Sequence, residues 1–244
     1  MRKNDLPRDL DTEDKCFDFL KSIRWPNGLF ECRECKHKKG IWLKTRKRMQ
    51  CCSCGFQSSV TAGSLFHGTK VPLRKLFRIL MDLLAGSKKS AEETADELGI
   101  AYATAWLWML RIRSVLKKFF PPNKAFVIDL AVLGSILFRR SRDSEPADRA
   151  KEESRLQHSK PLPPLPRRKK KSVQIAGRFL ATPFQGISRK YAEHYIAQFS
   201  FSLRRKTISL EEFLRMCLQS DPITRATILS YSSPAKISLP LLKS

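Results

Sequence analysis

Apolar residues return every three or four positions in "LRKLFRILMDLLA", residues 73–85, through Leu73, Leu76, Phe77, Leu80, Met81 and Leu84. That is the period of a helix buried along one face, and Pro72 suits its first turn. Ser90 and Glu93 have the spacing of a capping box, so a second helix is expected to open there and to break at Gly99. Ala95, four residues before that glycine, completes a helix-turn-helix pattern in which a small residue lets two helices cross closely. In the helix that follows, Leu98, Ile100, Ala105 and Trp108 fall on buried positions and leave Tyr102, Ala103, Trp106 and Leu107 facing outward. After Pro121 and Pro122, "AFVIDLAVLGSILF" reads as strand, with Asp129 set among apolar neighbours. The periodicity then stops. Residues 139–183 are charged and proline-rich, a composition expected to remain a disordered linker. Order resumes near Phe184, where Ala192, Tyr195, Ile196, Phe199 and Leu203 share a helical face behind a Ser188 cap, and Leu210, Phe213, Leu214 and Cys217 repeat the spacing. Residues 221–244, rich in serine and proline, read as a tail, and no internal repeat is present.

Charge narrows the class of partner. Lysine and arginine number 47 against 23 acidic residues, a formal charge of +24 on 244 residues, which favours polyanions and nucleic acid first. No run of about eighteen apolar residues marks a membrane span, and no secretory signal opens the chain, so a soluble protein of a reducing, cytoplasmic interior without a membrane partner is expected. A reducing interior keeps thiols free and makes clustered cysteines a metal site rather than a staple.

Five of the seven cysteines lie within residues 32–54. Cys32 with Cys35 and Cys51 with Cys54 are two C-x-x-C pairs fifteen residues apart, the spacing of a zinc ribbon built from β-hairpins. Two such knuckles close a tetrahedral four-thiolate shell with no open position, so one structural Zn(II) per chain is expected; Gly55 follows the second knuckle and Cys52 is the spare. Between the pairs, Lys44, Arg46, Lys47 and Arg48 with Trp42 make a basic hairpin suited to phosphate contact or base stacking, or simply to solvation. The outward face of the second helix, with Tyr102 and Trp106, has the shape to enter a major groove, and Arg111 and Arg113 would then meet phosphates.

"WPNGLFECREC", "CCSCGFQSSVTAGSLFHGTKVPLRKLF" and "LGIAYATAWLWMLRIR" together resemble zinc-ribbon insertion-sequence transposases of bacteria, over about residues 14–113, and "FQGISRKYAEHYIAQFSF" resembles the helical end of their catalytic domain. The resemblance implies an RNase H-like fold in which three acidic residues hold two divalent metals for DNA cleavage and strand transfer. It divides the chain into a zinc ribbon (14–68), a helix-turn-helix region (69–120), a remnant of the first catalytic strands (124–138), the linker (139–183), C-terminal helices (184–220) and a tail (221–244). The expected class is therefore α+β in several parts, with an incomplete RNase H-like remnant. "FVIDLAVLG" matches the family's first catalytic aspartate at Asp129, with Leu130 where that word carries glutamate. The second and third ligands find no place, and the interval from Asp129 to Gln185 is too short for the remaining sheet. One carboxylate cannot assemble a two-metal site, so Mg2+ matters only if catalysis survives.

The family's recognition helix commonly carries Lys, Arg and His where this chain has Ala103, Leu107 and Leu110, which implies salt-sensitive, weakly selective binding to the double-stranded DNA of element ends. The leading expectation is a transposase-like DNA-binding protein without catalysis. The competing ones are an active enzyme and a regulator that forms mixed oligomers with an intact transposase; a homo-oligomer fits either.

Overall fold

The first two helices both begin on oxygen atoms supplied by neighbouring residues. Thr12 Oγ1 accepts the Lys15 amide at 3.3 Å and caps α1 (Glu13–Arg24). Glu13, in the first turn of α1, accepts the amides of Leu73 and Arg74 at 2.7 and 3.0 Å. Those amides open α2 (Leu73–Ala85), whose N-cap Pro72 has no side-chain acceptor of its own. A carboxylate sixty residues away thus ties two elements together. The structure, a computed structural model, describes residues 10–121, 125–130, 133, 165–184 and 187–242.

Between α1 and α2 lies an antiparallel sheet, β1 (Gly40–Leu43), β2 (Arg48–Cys51) and β3 (Gln57–Ser59), in that order. Trp42 pairs with Met49, and Met49 with Ser58. Gly40 is required by close approach: a Cβ there would come within 2.8 Å of the Phe30 ring. α2 ends at Gly86, whose φ of 83° closes its last turn. Ser90 and Glu93 form the expected reciprocal capping box at the start of α3 (Ala91–Leu98). Gly99, at φ 56°, turns the chain into α4 (Tyr102–Phe119), and buried Ala95 lies in α3 as the pattern predicts.

Beyond α4 the structure departs from the expected order. β4 (Ala125–Asp129) is followed by α5 (Arg167–Phe184), a helix where a linker was expected. The prediction failed because basic composition outweighed a short apolar register: Ala176, Phe179 and Leu180 recur at helical spacing and bury themselves. Residues 139–164, the rest of that predicted linker, lie outside the described residues. α6 (Ala192–Ser202) follows a 3-10 turn at Arg189–Tyr191, and Ser188 makes no side-chain cap. Leu203, expected on its buried face, is exposed just past the last turn. α7 (Leu210–Leu218) opens on a second capping box, Ser209 with Glu212. The predicted tail contains α8 (Arg225–Ser230) and β5 (Lys236–Pro240). β5 pairs antiparallel with β4, placing Leu239 opposite Phe126 and Ile237 opposite Ile128. Alternating apolar residues drive that pairing, and a serine- and proline-rich average hides them.

Apolar packing crosses the expected boundary at residue 68. One core joins Phe30, Met49 and Val60 of the ribbon to Leu76 and Phe77 of α2, Trp108 and Ile112 of α4, and Phe213 and Leu214 of α7. The Leu65 amide also donates to the Cys217 carbonyl at 3.1 Å. A second core gathers Phe126, Ile128, Ala176, Phe179, Leu180, Phe199, Ile237 and Leu239 from β4, α5, α6 and β5. Among the described residues no helix is long and apolar enough to cross a membrane.

Candidate metal centre and nucleic-acid interface

Each C-x-x-C pair folds on itself through a backbone bond. The Lys36 amide donates to the Cys32 carbonyl at 3.0 Å and the Gly55 amide to the Cys51 carbonyl at 3.1 Å. The residue closing each turn has positive φ, 60° at Lys36 and 72° at Gly55. The two turns bring the sulfurs of Cys32, Cys35, Cys51 and Cys54 within 4.8 Å of one another. Cys32 and Cys54 are 3.6 Å apart and Cys35 and Cys51 are 3.5 Å apart. Four bonds of about 2.3 Å to one tetrahedral Zn(II) require sulfur separations of about 3.8 Å, so the donor set and spacing fit that ion.

Electrostatics agree with a cation at the centre. The amides of Cys54 and Ser53 favour the Cys51 thiolate and lower its pKa to about 7. The Phe56 amide favours ionisation of Cys54, but Cys35, burial and then Cys32 and Cys51 together push that thiol up to about 12. Four sulfurs this close ionise together only around a positive charge. Cys52 stands outside the group and is exposed. The Arg33 guanidinium lies against Gly63, where a Cβ would sit 1.8 Å from Nη1, and so fastens the first knuckle to the loop beyond β3.

The cations of the hairpin are less uniform than their sequence. Lys44, Arg46 and Arg48 project from β2 and the turn between β1 and β2 and are exposed. Lys47 is committed to an ion pair with Asp14 and lies over the Phe17 ring at 5.4 Å. Trp42 does not present its face for base stacking. It packs against Phe17 and Trp25, at ring distances of 6.0 and 6.1 Å, with the Lys21 ammonium over it at 4.6 Å.

Residues 11–57 match the transposase zinc-ribbon domain family. The match supports a relation to insertion-sequence transposases and spans α1, both knuckles and the first two strands of the ribbon. No curated protein and no solved structure matches the chain.

Beyond the ribbon, the predicted DNA-contact residues divide. Tyr102 is 59 % exposed at the start of α4, and Ala103 beside it is exposed. Trp106 and Leu107 are half-buried against Tyr191, Ile228 and Tyr231, and the Trp106 ring meets Tyr191 edge-on at 5.4 Å. Leu110, expected in a groove, is fully buried. The reason is the C-terminal chain: α8 and the turn before α6 cover this side of α4 and supply the apolar surface its side chains face. Arg111 is half-buried with its guanidinium over the Trp108 ring at 4.9 Å.

For Arg113 the expectation of a phosphate partner is wrong. It is 2 % exposed, donates from Nε to Gln198 Oε1 at 2.8 Å and stacks over the Tyr195 ring at 4.0 Å. Burial pulls its pKa down, and it is not placed to meet a phosphate. Next to it Ser114 donates to the Leu110 carbonyl and shares a 3.0 Å hydrogen bond with His194 Nε2. Because the serine proton is already used, the imidazole must donate there, leaving buried Nδ1 without a partner. Burial first, then Lys117 and Arg113, lower the His194 pKa to about 4. Nothing in the helical periodicity of α4 and α6 distinguishes Arg113, His194 and Gln198 from surface residues, so sequence reasoning missed this network. The S-x-x-E spacing at Ser209 was available and would have located the start of α7.

Asp129 ends β4, half-buried and opposite Lys236 in the ladder. Among the described residues the only group of three or more His, Cys, Asp or Glu side chains close enough to hold a metal is the four cysteines. Asp143, Glu145, Asp148, Glu152 and Glu153 lie outside the described residues.

Proposed function

We propose that this chain is a zinc-stabilised, transposase-derived protein that binds duplex DNA, originally the ends of an insertion sequence, without cutting it. The observation that carries the reading is the four-sulfur ribbon, which matches a transposase zinc-ribbon domain and holds out a hairpin bearing Lys44, Arg46 and Arg48. Contact runs through those cations and through the exposed start of α4 at Tyr102, with the outer guanidinium nitrogens of Arg111 at the margin. These groups supply phosphate attraction and few hydrogen bonds to base edges, which gives salt-sensitive binding of low selectivity.

Asp129 speaks against cutting. The word around it resembles the one that carries the first acidic residue of a DDE-type site, yet its ladder neighbour is a lysine and the chain between it and α6 is short for the rest of an RNase H-like sheet. A degenerate or internally deleted copy accounts for both. The test uses the full chain and a plasmid carrying element ends. Gel shift is expected to show binding that Lys44→Gln with Arg46→Gln weakens, and Mg2+ or Mn2+ is expected to yield no nicks. Nicking abolished by Asp129→Asn would overturn this reading in favour of an active transposase.

A further inference from the structure

Helix α5 carries six cations and no acidic residue in eighteen positions. Its first five positions, Arg167 to Lys171, are all basic, at the end where the helix dipole already disfavours positive charge. Like charges three and four apart add further repulsion along the same face. At 100° per residue, Arg167, Lys170, Lys171, Gln174 and Arg178 fall within an arc of about 100°, and all five are exposed. The opposite face, through Ser172, Ala176, Phe179 and Leu180, is buried against β4, β5 and α6. The stripe is thus held rigidly by a packed core.

Its charges are also unspent. Elsewhere lysines and arginines find carboxylates: Lys47 with Asp14, Lys89 with Asp82 and Glu97, and Lys117 with Glu193. Among the described residues Arg167, Lys170, Lys171 and Arg178 have no ion-pair partner.

We propose that this face of α5 is a docking surface for the phosphate backbone of duplex nucleic acid, separate from the ribbon turn; the proposal rests on the DNA-binding reading above. From Arg167 to Arg178 the helix rises about 16 Å, enough for several successive phosphates. Gln174, in the middle of the stripe, adds an amide donor that can reach a phosphate oxygen. A membrane surface fits less well. An interfacial helix inserts its apolar face, and here that face is occupied by Phe126, Leu239 and their neighbours in the core.

The test compares the full-length zinc-loaded protein with the variant Arg167→Gln, Lys170→Gln, Lys171→Gln, Arg178→Gln, by fluorescence anisotropy on a duplex of arbitrary sequence over a salt series. The slope of log affinity against log salt is expected to fall by about 3.6, at about 0.9 for each of the phosphates no longer neutralised by the four cations. Affinity at 0.1 M salt should drop roughly a hundredfold or more. Circular dichroism and zinc content confirm that the variant is folded, and the charge-preserving Arg167→Lys, Arg178→Lys pair should retain the wild-type slope. A wild-type slope in the glutamine variant, with duplex binding intact, overturns the α5 surface and leaves the DNA-binding reading standing. A wild type that ignores duplexes overturns both. Stripe-dependent binding to anionic phosphatidylserine vesicles but not to duplexes reassigns the surface to membrane and also sinks the proposal.

Discussion

The ribbon and the β4–β5 unit are both small antiparallel sheets, but they are assembled on different scales. β1, β2 and β3 lie within residues 40–59, and four nearby sulfurs converge beside them. β4 and β5 are joined only after the chain has travelled from residue 129 to residue 236, and no sulfur cluster fastens them. Apolar packing holds Phe126 and Ile128 against Leu239 and Ile237, backed by α5 and α6. A local sheet beside a metal-ligand set is expected to depend on the ion as well as on its share of the first core. A distant pair depends on burial spread over many side chains.

Removing the ion should therefore separate the two most widely. With a chelator, or with Cys51→Ser, the ribbon is expected to lose its fold, since metal binding supplies roughly 10–16 kcal/mol in comparable zinc sites. Hydrogen exchange should show amides of Met49 and Gln50 exposed while those of Phe126 and Ile128 stay protected, and metal analysis of the untreated protein should give about one zinc per chain. Equal protection of both sheets after chelation would erase the distinction.

The converse lesion is Leu239→Ala, which opens a cavity in the second core and should cost about 2–5 kcal/mol by urea denaturation with zinc content unchanged. Acid should also act on the packed region. His194 titrates at about 4 when folded and near 6.5 when unfolded, so between those values the unfolded chain binds the extra proton. Its contribution is fully present above about pH 6.5 and is lost as pH falls toward 4, up to about 3 kcal/mol. His194→Gln should flatten that part of the pH–stability curve, and an unchanged curve would show that the imidazole is not the titrating group.

The smallest effect lies within the ribbon, between its two knuckles. Lys36 adopts a left-handed conformation that Gly55 adopts without strain. Lys36→Gly should stabilise the protein by about 1 kcal/mol, because the exposed pair with Glu31 that it gives up is worth little. Gly55→Ala should destabilise by about 1–2 kcal/mol. Thermal melts of the zinc-loaded protein read both.

Those contrasts follow how far each feature was legible in residue order. The four cysteine ligands, the capping box at Ser90, the turn at Gly99 and the helix at residues 73–85 each depend on residues fewer than about twenty-five apart, and spacing alone identifies such features. The helix at Arg167–Phe184 was hidden by its own charge, because an average over a basic segment conceals three apolar residues on one face. The alternation of Ile237 and Leu239 in β5 was hidden by a serine- and proline-rich average, and nothing local told that its partner would be β4.

Residue order by itself determined the sulfur set, the basic excess and the boundaries of α2 and α3, because these arise from neighbours in the chain. Only the tertiary structure decided which cations remain available to a polyanion. Arg113 and Arg178 carry the same charge in the sequence, yet one is sealed against Gln198 and Tyr195 and the other stands exposed on α5. Burial is set by what the rest of the chain lays over a residue, and for α4 the covering segment lies about eighty to one hundred and twenty residues further on.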